Sequence, residues 1–133
     1  LSNLKKELKE AETKFDYRSI KSFEDACKRL GIDGEAEIVK YRSVGLSEHL
    51  IANFQLERIF EAINDGWIPD WNNSNKRKYY PWFTMSSDSF ASSGYGSWCT
   101  DSVSGSRLCT YNKNVSDYIG KTFVDIYKVA LSY

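Results

Sequence analysis

Lys76, Arg77 and Lys78 are followed at once by Tyr79 and Tyr80, and Trp71 precedes them. Cations beside flat rings suit single-stranded nucleic acid: rings stack on bases and cations meet phosphates, with each stacked base worth about 1–3 kcal/mol. Arg107 and Lys113 can extend such a patch. Trp71 beside Asp70, Asn72, Asn73 and Asp88 is also the vocabulary of a sugar site. A third use is a protein partner, for which an exposed WIPDW (67–71) or YYPWF (79–83) supplies aromatic anchors with a polar rim. Against all three stands core filling, the favoured role for Trp67, Trp82 and Phe83. Tyr79 and Tyr80 are neighbours on an expected strand, so one of them must point away from the core.

Catalytic readings are weaker. Asp70, Asp88 and Asp101 would be a carboxylate set for metal or acid–base work, but loop aspartates are usually turn residues. Ser93 to Ser97 and Ser104 to Ser106 lack the Lys and the strand–loop–helix setting of a phosphate-binding loop. Cys99 has no His near it in sequence, and His49 reaches it only through the fold. Two Cys and one distant His lack zinc-ligand spacing. Catalytic residues, metal ligands and cofactors are therefore all expected to be absent.

Composition narrows the classes further. At 133 residues the chain suits one domain. Lys+Arg and Asp+Glu are equal at 18 each, so no long-range field draws in polyanions. No apolar run approaches a membrane span. The opening LSNLKKELKE is polar and amphipathic, and no signal peptide is visible in it. Three cysteines, an odd number without close spacing, fit reduced thiols and a cytoplasmic setting. A Cys99–Cys109 bridge across a hairpin is the less favoured alternative.

The elements that must position these residues read as follows. Leu1, Leu4, Leu8 and Ala11 mark a helical arm over about 2–13, laid on the domain or contacting a second subunit. Phe15 to Lys21 is a connection or edge strand. Ser22 caps a helix over about 22–30, with Asp25 placed for a capping box and Gly31 as the stop. Asp33 to Gly45 reads as a linker, extended over Glu37 to Tyr41. A greasy central helix spans about 47–64 and ends at Gly66. Residues 67–111 read as an antiparallel sheet of two to four strands. In it Pro81 forces an edge or a bulge, residues 86–105 form a hairpin arm rather than a linker, and Arg107 to Tyr111 is the last strand. Val115, Ile119, Phe123, Ile126 and Ala130 predict one closing helix over about 115–131, capped by Asn114 or Ser116. The expected fold is α+β, three or four helices on a small sheet, with an arm at 1–18 and a core at 19–133.

Taken together, SFEDACKRLGID, EAINDGWIPDW, KRKYYPWF, GSRLC and YIGKTFVDIYK resemble a family of small proteins from gut Bacteroidetes, their phages and integrated mobile elements. The resemblance covers roughly Ser22 to Tyr127, and the arm lies outside it. It implies a phage or mobile-element context and carries no activity or catalytic residues with it. The reading reached is a non-enzymatic protein that contacts a host or phage protein through an aromatic patch. Its site residues would be Trp71, Lys76, Arg77, Lys78, Tyr79, Tyr80 and Arg107, with single-stranded nucleic acid as the alternative ligand. Carbohydrate binding and enzymatic activity rank lower, no membrane partner is expected, and dimerisation through the arm stays open.

Overall fold

The computed structural model describes residues 3, 15–73, 75–85, 90–99 and 107–131. Within them the protein is mostly helical. Its five α-helices are α1 (Phe23–Leu30), α2 (Gly34–Ser43), α3 (Glu48–Asn64), α4 (Lys113–Thr122) and α5 (Val124–Leu131). β1 (Arg77–Met85) and β2 (Phe90–Cys99) form one antiparallel ribbon. No larger sheet forms among the described residues, so the expected sheet of up to four strands contracts to this pair. Apart from Asn3, the helix expected at 2–13 and any dimer contact through it lie outside the described residues, as do Asp88 and Asp101.

α1 starts and stops where its sequence directs. The Ser22 hydroxyl accepts from the Asp25 amide at 3.1 Å. The Asp25 carboxylate reaches back one residue further than a capping box requires, accepting from the Lys21 amide at 3.0 Å. Gly31, at φ 69°, then lets the Gly31 and Ile32 amides close on the Lys28 and Cys27 carbonyls. Ahead of α1, Tyr17–Ser19 is a single 3-10 turn, not a strand.

α2 corrects the linker expected at 33–45. The Asp33 carboxylate caps the Ala36 amide at 3.1 Å, and Gly45 closes the far end at φ 85°. Beyond the small Gly34, only Ile38 of this helix is buried, while Val39 is exposed. Tyr41 adds a half-buried ring against Phe54 at 5.1 Å, but with one fully buried large residue the apolar stripe is too thin to read from sequence.

α3 is the central helix, with Ile51, Leu56, Ile59, Phe60 and Ile63 all buried. It packs against α1 on one side and α5 on another. Ser47 precedes it without a side-chain cap. Asp65 and Gly66, both at positive φ, turn the chain out of it. The closing helix expected as one piece is two, parted at Phe123, and Asn112 rather than Asn114 or Ser116 is the cap. Ser116 is buried instead.

The ribbon packs on α4, and the Phe83 ring meets Tyr127 of α5 at 4.4 Å. The register shifts between Trp82 and Phe83, leaving one extra residue in β2. Tyr79 exchanges backbone hydrogen bonds with Thr110, at 3.0 and 2.8 Å, on the side of β1 away from β2. Residues two apart on a strand face the same way, so the donor-less nitrogen of Pro81 also turns away from the β2 ladder. Proline costs this ribbon no rung. The strand expected at Arg107 to Tyr111 reduces to this one bridge at Thr110.

Candidate functional site: a cleft beside the start of β1

The segment between α3 and β1 folds back on itself. Asp70 accepts from the Asn72 amide and Asn73 from the Asn75 amide, both at 3.0 Å, and the Asn73 amide donates to the Asp70 carbonyl. Short side chains bonded to the backbone two residues on are what a tight polar loop requires. Asp70 is thus a turn residue.

A cleft of about 450 Å³ opens between this loop, the start of β1 and the chain after Thr110. Trp67, Ile68, Asp70, Lys76, Arg77, Lys78, Tyr79 and Tyr111 line it. The Trp67 and Tyr111 rings meet at 6.0 Å, tilted by 59°. Ile68 is 80% exposed and Tyr111 42% exposed. Pro69 keeps Ile68 extended, so its side chain has no helix face to pack against. Burial pushes the Tyr111 phenol up from its ordinary value, helped by Tyr17 and Asp65, so it stays neutral at physiological pH.

The seven expected site residues divide three ways. Lys76, Arg77, Lys78 and Tyr79 come together at the cleft. Lys76 and Arg77 are exposed, but Lys78 is only 1% exposed and its ammonium donates to the Asn73 carbonyl. Trp71 stands behind the cleft, half-buried, with the Lys78 ammonium 5.4 Å from its ring. Tyr80 points to the face of β1 opposite Tyr79 and meets Trp82 ring to ring at 6.0 Å. Trp82 is 56% exposed, not the core filler its size suggests. Arg107 is not part of this cleft. It pairs with Glu57 at 3.1 Å and lines a second one with Arg58, Glu61 and Asn64.

Three wall residues, Trp67, Ile68 and Tyr111, are not among the expected site residues, although the first two belong to the WIPDW segment read as a possible partner anchor. Ile68 carried a signal, since a residue before proline in a short extended segment has little to pack on. Tyr111 carried none, because its place depends on the long-range bridge of Thr110 to Tyr79.

Cys27 and Cys109 are free, buried thiols, both raised by burial, Cys109 to about 11, with Lys78 acting in the opposite direction on Cys109. His49 is exposed in the first turn of α3, 3.5 Å from the Ser47 hydroxyl. Among the described residues no group of three His, Cys, Asp or Glu side chains is placed to hold a metal ion. Nor is any of their helices long and apolar enough to cross a membrane. No family model, curated protein or solved structure matches the chain.

Proposed function

We propose that this chain is a non-enzymatic binding protein that takes a protein partner at the cleft beside β1. The observation that carries the reading is Ile68, an aliphatic side chain held 80% exposed at the mouth of a cleft walled by Trp67, Tyr79 and Tyr111. Apolar and aromatic anchors inside a rim of mixed charge, here Asp70, Lys76 and Arg77, are the composition of a protein contact. The motif resemblance supports a phage or mobile-element setting, and the free thiols fit a cytoplasmic one. A photoreactive residue placed at position 68 tests the idea in the native bacterial host. It crosslinks one protein strongly, whereas the same group at position 39, exposed on α2, does not. Equal crosslinking from both positions, or none from either, contradicts the proposal.

One observation favours a second ligand. Lys76 and Arg77 are exposed at the same cleft as the Trp67 and Tyr111 rings, the pairing that single-stranded nucleic acid uses. Anisotropy with short labelled oligonucleotides separates the two. Binding that weakens steeply with added salt would replace the protein partner with a polyanion.

A further inference from the structure

We infer that Lys78 is a positioning residue: an internal strut that holds the 70–76 loop in place and so shapes the cleft wall for whatever ligand the cleft takes. Its side chain runs inward, and the ammonium donates to the Asn73 carbonyl at 2.9 Å. The same ammonium lies 5.4 Å from the Trp71 ring centre, so one buried cation touches two parts of the loop. The Asn73 carbonyl also accepts the Lys76 amide at 3.3 Å, which makes it the point where loop and strand meet. A cation out of water must be held by acceptors, and a carbonyl and an aromatic face are both suitable ones. The Lys-Arg-Lys run is therefore divided by the contacts Lys78 makes, not by strand alternation, which would place Lys78 on the side of Lys76. Lys76 and Arg77 remain in solvent, and Lys78 serves the loop.

The test needs no ligand. Brief acylation of the native protein with an amine-reactive ester, read by mass spectrometry, labels Lys76 and leaves Lys78 unmodified until the chain unfolds. Lys78→Met keeps the length of the side chain and removes the donor. In that variant the amides of Asn72, Asn73, Asn75 and Lys76 exchange with deuterium faster by about tenfold to a hundredfold, the worth of a charge-assisted hydrogen bond. The amides of Ile59 and Ile63 in α3 exchange as before, and the urea midpoint is unchanged or higher, because a buried charge replaced by an apolar group of similar size is often neutral or stabilising. Acylation of Lys78 as fast as Lys76 overturns the inference. So does unchanged exchange in the loop of Lys78→Met, and so does a general loss of its stability, which would make Lys78 a core residue and no strut.

Discussion

Tyr79 and Thr110 exchange both of their backbone hydrogen bonds, and that one contact clips the chain after β2 to the open side of β1. The Thr110 hydroxyl continues the link, donating to the Asn64 side-chain oxygen at 2.6 Å, while the Asn64 amide donates to the Cys109 carbonyl at 2.9 Å. The end of α3, the chain at 109–110 and β1 thus meet at one partly buried polar knot. Tyr111 is the next residue, and the knot delivers its ring to Trp67.

Thr110→Val keeps the shape of the side chain and removes its donor. The partly buried Asn64 oxygen then loses its partner, at a cost of about 1 kcal/mol in urea unfolding. The Trp67–Tyr111 wall loosens with it. Thr110→Ser, which keeps the hydroxyl, loses much less.

Gly34→Ala tests the packing of α2 on α1. A methyl group there would stand 2.3 Å from the Cys27 sulfur and 2.6 Å from the Phe23 ring. Its backbone is not left-handed, so the penalty is steric crowding alone, about 1–3 kcal/mol. Cys27→Ala in the same chain removes the nearest clash and recovers part of the loss. Full additivity of the two single effects in thermal melts would show that these residues are not in contact.

Alkaline pH weakens the fold through Cys109. Burial raises its thiol from 9.0 to about 11, so between those values the unfolded chain has released a proton that the folded chain still holds. Stability is complete below pH 9 and falls as pH rises toward 11, by about 2 kcal/mol from this group. Tyr127, raised by its own burial, acts in the same direction above pH 10. Urea midpoints measured from pH 8 to 11 show a decline that is shallower in Cys109→Ala.

Trp82 and Phe83 are neighbours with opposite roles. Phe83 packs on Tyr127, and its replacement by Ala costs about 2–3 kcal/mol. Trp82→Ala, on an exposed side chain, costs less than about 1 kcal/mol. Chemical unfolding of the two variants side by side reverses the ranking that size alone gives.

What could be read beforehand was local. The Ser22 cap, the Gly31 stop and the apolar circumference of α3 are written in contiguous residues, and each stands where its pattern places it. The ribbon was legible in the aromatic run of β1. α2 was not, because its packed positions, Gly34, Ile38 and Tyr41, include only one large aliphatic residue, too thin a stripe to stand out. The break at Phe123 was hidden by an apolar spacing that continues straight across it. At the site, the loop and the basic run were visible, but which lysine turned inward was not. That choice depends on where Asn73 and Trp71 come to rest, and a strand pattern alone leaves both faces open.

The most direct measurement is the affinity of the protein crosslinked from position 68 for three forms of this chain: wild type, Ile68→Asp and Val39→Asp. A charge at the mouth of the cleft weakens binding about thirtyfold or more, the scale of a central contact residue, while the same charge on α2 leaves it unchanged. Equal affinity for all three forms would contradict the assignment of the cleft.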